Sequence, residues 1–209
     1  MKKFFLLLCA VSFIFGVAGI AGATILTFDD IPNAGTQGFI PAGYGGFQWD
    51  QFGYIKGADA YPAGSGYERG IVSGDYVALN PFASVASIYG SKFDFIEASL
   101  TAAWNTDLWV RIEGFLSGNP IYTMLVELNT LSPTRVEFDW VGIDELVFLS
   151  FGGRDADPND GESGTQFAMD DFTYEVGGST PVPEPATMLL LGSGLIGMAA
   201  IGRKKLFNK

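Results

Sequence analysis

From Arg135 to Trp140 the chain alternates strictly: Val136, Phe138 and Trp140 are apolar, and Arg135, Glu137 and Asp139 between them are charged. Successive side chains of an extended strand point to opposite faces, so this run buries one face and wets the other. The same period of two recurs. Leu108, Val110 and Ile112 alternate with Trp109, Arg111 and Glu113, and Tyr122, Met124, Val126 and Leu128 form the even set of residues 121–128. Leu146-Val147-Phe148-Leu149 is apolar on both parities, as a central strand would be. Further strands are expected at 25–28, 47–52, 76–79, 93–99 and 167–176. Turn signals separate them: Ser117-Gly118-Asn119-Pro120, Ser132-Pro133 and Gly152-Gly153. Residues 33–46 and 56–70 read as loops. No internal repeat is visible, and the body has no capped helical period. Eight to ten short antiparallel strands with such turns predict an all-β antiparallel sandwich, a jelly roll, over residues 24–178.

The two ends obey different rules. Met1-Lys2-Lys3, an apolar run over 4–17 and Ala21-Gly22-Ala23 predict a secretory signal peptide over 1–23, cut after Ala23. Cys9 follows Leu8 rather than a small residue, which argues against a lipoprotein signal. At the other end, Val182-Pro183-Glu184-Pro185 closes a linker over 179–185. An uncharged apolar stretch follows over 186–202, and then a basic tail over 203–209. The stretch has about the minimum length for a transmembrane helix. Arg203, Lys204 and Lys205 predict a cytoplasmic tail, with the body on the far side. Gly192, Gly194, Gly197 and Gly202 would weaken a helix in water and are commoner in membrane helices.

These three ordered parts, Pro-Glu-Pro, single span and basic cluster, resemble the PEP-CTERM sorting signal of Gram-negative bacteria. The cluster mixes one arginine with two lysines, where the family often has arginines. The resemblance implies an exosortase as partner. That membrane enzyme would read Val182, Pro183, Glu184 and Pro185 and release or transfer the body to the cell surface or extracellular polysaccharide. The helix would then be a temporary anchor.

The formal net charge is −11. Setting aside Lys2, Lys3, Arg203, Lys204, Lys205, Lys209 and Glu184 leaves the body at −16. Such a surface repels nucleic acid and anionic lipid and favours cations. The single cysteine leaves with the signal peptide, and there is no histidine. A mature body of this kind has no disulfide, no thiol nucleophile, no histidine base and no zinc site of the usual ligands.

Four pieces of the body resemble a recurring secreted domain found ahead of such sorting signals. They are Thr27-Phe28-Asp29-Asp30, the stretch Gly43-Tyr44-Gly45-Gly46-Phe47-Gln48-Trp49, Ala102-Ala103-Trp104, and Phe167-Ala168-Met169-Asp170-Asp171-Phe172. That resemblance implies a jelly-roll, carbohydrate-binding-like fold and no settled ligand.

Four groups of residues could carry chemistry. Asp29-Asp30 closes the first strand and Asp170-Asp171 interrupts the last, where the alternation slips by one, as at a β-bulge. If the first and last strands are neighbours, these four carboxylates could share a structural calcium; otherwise they are strand-end aspartates facing water. The acidic run Asp155-Ala156-Asp157-Pro158-Asn159-Asp160-Gly161-Glu162 fails the EF-hand pattern, with Asp160 at the glycine position and Gln166 at the bidentate one. It reads as a solvated loop. Among the aromatics, Trp109 falls on the polar parity beside Arg111, and Trp49 and Trp104 lie in glycine-rich or polar surroundings. Each is a candidate sugar-stacking ring or a core residue; Trp140 shares the parity of Val136 and Phe138 and reads as core. Asp139, Asp144 and Glu145 suit glycoside hydrolysis by type alone, and no phosphate loop, nucleophile elbow or zinc signature is present. The sequence therefore predicts a non-enzymatic exported protein that binds glycan. The alternatives are a secreted glycan hydrolase and a purely structural matrix protein.

Overall fold

The computed structural model describes residues 22–60 and 63–176. The chain divides into two units, Met1–Gly178 and Ser179–Lys209, and the described residues belong to the first. Residues 1–21 of the expected signal peptide lie outside them, as do the sorting motif, the expected span and the basic cluster Arg203, Lys204 and Lys205. Among the described residues, no helix is long and apolar enough to cross a membrane.

The strands are β1 (Thr24–Leu26), β2 (Gln37–Phe39), β3 (Gln48–Asp50), β4 (Gly53–Lys56), β5 (Tyr76–Leu79), β6 (Ala86–Ala102), β7 (Asn105–Leu116), β8 (Asn119–Leu128), β9 (Thr134–Asp155) and β10 (Phe167–Val176). One short helix, α1 (Gly66–Arg69), precedes β5. Every strand pairing is antiparallel. The hydrogen-bonded order is β2-β4-β5-β10-β6-β9-β7-β8, with β1 on β10 and β3 on β6.

Two long strands turn this single ladder into a sandwich. The later half of β6 pairs with β10, and its first residues, Ser87 to Tyr89, pair with β3. β9 pairs with β6 over residues 134–148 and with β7 over residues 145–155, so Glu145 to Phe148 are paired on both sides. Each long strand thus serves both sheets. The corner lies where the β6–β9 register slips, between Tyr89 and Phe93, Phe93 and Phe95, and Phe95 and Glu97. On β9 the extra residues include Asp139 and Gly142, with φ of 51° and 70°. Bulges of this kind bend a strand and raise its twist, which lets it change sheets.

The inner faces meet around phenylalanine. Phe28, Phe52, Phe93, Phe95, Phe148, Phe167 and Phe172 are all fully buried, and burying each contributes roughly 1.5–3 kcal/mol. Phe148 of β9 touches Phe52 at 5.5 Å and Phe167 of β10 at 5.8 Å, between ring centroids, across the layers. Trp140, the expected core tryptophan, is 5% exposed and stacks on Tyr122 of β8 at 5.3 Å. Gly114 makes room for it: a Cβ there would stand 2.9 Å from Trp140 Cε3.

The expected element types hold, and several limits change. The runs 134–140 and 146–149 are one bent strand rather than two. The expected 93–99 strand extends to Ala86–Ala102. The expected 47–52 strand shrinks to β3, which stops before Gln51, whose φ is 51°, and β4 begins beyond it at Gly53. Gly152 and Gly153 lie inside β9 in left-handed conformation instead of ending it. The loop 33–46 contains β2, and 56–70 contains α1. The first and last strands are neighbours, with Ile25 opposite Thr173.

Candidate functional site

The slip at the two aspartates of β10 is a bulge. Asp170 lies opposite Ser99, Thr173 lies opposite Glu97, and Asp171 between them has a φ of 50°. The bulge turns both carboxylates onto the segment 72–75, which links α1 to β5. Val72 and Ser73 N–H donate to Asp170 Oδ2 at 2.7 and 2.9 Å, and Asp171 N–H donates to Asp170 Oδ1 at 2.7 Å. The Ser73 hydroxyl donates to Asp171 Oδ1 at 2.6 Å. Asp29 holds the same segment from the other side, accepting from Asp75 N–H at 2.6 Å and from Tyr76 N–H at 3.3 Å. Gly74, at φ 59°, fits here because a side chain would run into the Asp29 carboxylate. Asp30 turns elsewhere and accepts the Tyr44 hydroxyl at 2.7 Å.

Asp29, Asp170 and Asp171 are therefore brought to one loop, and Asp30 is not. Burial pushes the Asp170 carboxyl up to about 6, against the backbone N–H groups of Ser73, Val72 and Asp171. Among the described residues, no three acidic, histidine or cysteine side chains are grouped as a cation site needs.

The tryptophans separate. Trp49 is half-buried against the core, edge-on to Phe52 at 5.5 Å and to Phe28 at 5.8 Å, with its indole N–H donated to the Tyr44 carbonyl at 2.9 Å. Trp104, just after β6, packs edge-on against Tyr67 at 5.2 Å and walls a cavity among the loops. Trp109 stands on the outer face of the second sheet. Its neighbours in β7, Leu108 and Val110, are fully buried, whereas Trp109 is half-buried and Arg111 is exposed.

Residues directly opposite in an antiparallel pair share a face. Trp109 has Phe151 of β9 on one side and Glu127 of β8 on the other; Arg111 has Leu149 and Leu125. Phe151 is 43% exposed and Leu125 is 52% exposed. The Arg111 Nε lies 3.7 Å from Glu113 Oε1. The result is an exposed apolar strip, with Trp109 opposite Phe151, edged by Arg111, Glu113 and Glu127. Such a strip can stack on the C–H face of a sugar ring while its rim bonds hydroxyls.

Phe151 was not singled out from the sequence, because Gly152-Gly153 reads as a turn and hides the end of β9. Its shared parity with Leu149 is the signal that could have found it. The acidic run is a self-bonded loop: Asp157 N–H donates to Asp155, Asn159 N–H to Asp157 and Glu162 N–H to Asp160.

Residues 181–205 match the PEP-CTERM protein-sorting motif. It marks an exported protein held transiently at the membrane of a Gram-negative bacterium. No curated protein matches the chain in sequence. Solved structures similar to it include a DUF4465 family protein from Bacteroides ovatus, with 11% identity and a TM-score of 0.41 over 74% of this chain and 94% of that one. Another is TmCBM61 in complex with β-1,4-galactotriose, with 13% identity and a TM-score of 0.34 over 61% of this chain and 86% of that one.

Proposed function

We propose that the protein is an exosortase-processed component of the cell surface or extracellular matrix, and that its sandwich, of the jelly-roll class, is a non-enzymatic glycan-binding module. The jelly-roll class is supported by the pairing of β1 with β10. The observation that carries the binding reading is the placement of Trp109 opposite Phe151 on an exposed sheet face. Exposed apolar patches of this kind on a soluble domain mark contact surfaces. The strip runs across an exposed sheet face, so it suits an extended polysaccharide more than a compact ligand. The body's charge of −16 favours a neutral polymer over an acidic one.

The test is affinity electrophoresis of the full chain through gels holding neutral polysaccharides. Retardation by at least one polymer is expected, and Trp109→Ala or Phe151→Ala weakens it about tenfold or more, as loss of a central aromatic contact does. Equal retardation of both variants and the wild type would remove this face from the function. No retardation by any polymer would favour a purely structural matrix role. Release of reducing sugar from a retarding polymer would favour the hydrolase.

Calcium has a narrower place in this reading. The carboxylates of Asp29 and Asp170 already accept backbone N–H groups, which compete with a cation for their oxygens. We read the set as a clamp on 72–75. Calorimetry should show no calcium uptake that Asp170→Ala abolishes.

A further inference from the structure

β8 ends the hydrogen-bonded order and pairs with β7 alone among the described residues. Its outer row of backbone N–H and C=O groups is open to another strand. At the other end of the order, β2 is three residues long and offers little to pair with. β8 runs for ten residues, and its register to β7 is unbroken from Leu128 to Tyr122. It carries none of the usual guards of an edge over that run: no lysine, no proline and no bulge.

Its side chains suit burial. Ile121 and Leu125 are 44% and 52% exposed on the outer face. Tyr122, Met124 and Val126 pack against the core from the inner face and stay half-buried. A strand beyond β8 would cover their open flank. Glu127 is the only charged residue of β8.

Charge selects the occupant. The body stands at −16, so two copies of it repel each other over most of their surface. They meet at least cost along β8, provided that the two Glu127 carboxylates stay apart. Antiparallel self-pairing centred on Thr123 does this. It sets Ile121 against the second copy's Leu125 and Glu127 against the second copy's Asn119. The two glutamates then lie eight residues apart along the strands, about 27 Å. That is well beyond the screening length of about 8 Å in physiological salt. Centring the pair on Met124 would set Glu127 against Ile121. A parallel, in-register pair would stack the two glutamates. The two-fold axis at Thr123 closes the assembly with the same patch on both sides.

We propose that β8 is a homodimerisation edge: two copies of this chain pair antiparallel over residues 119–127, centred on Thr123, and join their second sheets into one. The outer faces, with Trp109 of each copy, then share one side of the joined sheet. The dimer does not depend on what those faces bind.

The experiment is oxidative cross-linking of the full chain in a nonionic detergent, in a Cys9→Ser background, so that an introduced cysteine is the single thiol. Opposed residues lie within disulfide reach, and residues four apart do not. Thr123→Cys should give a reducible dimer at least about tenfold faster than Ile121→Cys or Leu125→Cys alone. A mixture of the latter two should cross-link one to the other. Thr123 is exposed, so Thr123→Lys should keep the wild-type circular dichroism. It opposes two lysines, and sedimentation over a concentration series should show the dimer lost. A wild-type monomer at every concentration would overturn the proposal, as would equal cross-linking rates for all three single cysteines. A dimer that survives Thr123→Lys would also overturn it and assign the self-association to another part of the chain.

Discussion

At Asp170 a single carboxylate ties the end of one strand to the approach of another. Replacing it with alanine leaves the N–H groups of Val72, Ser73 and Asp171 without their acceptor, so Asp170→Ala should cost about 2–4 kcal/mol in chemical denaturation. Its titration gives a second test. An unfolded aspartate titrates near 3.9, and burial holds the folded one at about 6. The folded state therefore binds this proton more tightly. The group's contribution to stability is complete below about pH 4 and is lost as pH rises through about 6. In melts between pH 4 and pH 7, the advantage of wild type over Asp170→Asn should grow as pH falls; a difference independent of pH would rule out this titration. Gly114 tests packing instead of charge. Gly114→Ala places a methyl 2.9 Å from Trp140 and 3.2 Å from Ile143, and overpacking of this kind should destabilise by about 1–3 kcal/mol. The aspartates are visible in the sequence as paired acids. Their acceptor role is not, because segment 72–75 is far from Asp170 in sequence and its N–H groups carry no sequence signature.

β9 is the element that makes two sheets from one ladder. Its inner face runs through Val136, Phe138 and Trp140, then shifts to Ile143, and shifts again to Leu146 and Phe148. The parity slips of 140–146 are readable once they are known to be bulges; read as a gap, they split one strand into two. Gly142 lies at the slip with φ 70° and nothing within 4 Å of a would-be Cβ. Gly142→Ala thus isolates the backbone cost, and denaturation should show a loss of about 1–2 kcal/mol. A neutral result would mean that the bend relaxes without glycine. The same strand explains the missed half of the exposed aromatic strip. Gly152 and Gly153 continue the ladder opposite β7 in left-handed conformation, and so extend β9 past Phe151.

For the molecule as a whole, the body and the tail are separate devices. The tail carries the sorting motif at 181–205. Changing Pro183 and Pro185 to alanine removes the rigid step around Glu184 without touching the body. Fractionation of cells expressing that variant should show full-length chain accumulating at the membrane and little protein at the surface or in the medium. Normal release of the variant would mean that processing does not read this step. The body's acidity does not depend on the tail.

The all-β class, the antiparallel pairing, the core parity of Trp140 and the outward parity of Trp109 all follow from period-two alternation, which is a local property of the chain. The sorting motif is also local, because it lies in one linear segment. What lay opposite each residue could not be read that way. Phe151 comes opposite Trp109, and Val72 reaches Asp170, only after the strands bend at their bulges and bring distant segments into register. That register depends on which bulge takes up which slip and on which side chains fill the space between the sheets. These are long-range packing choices, and only the tertiary structure makes them.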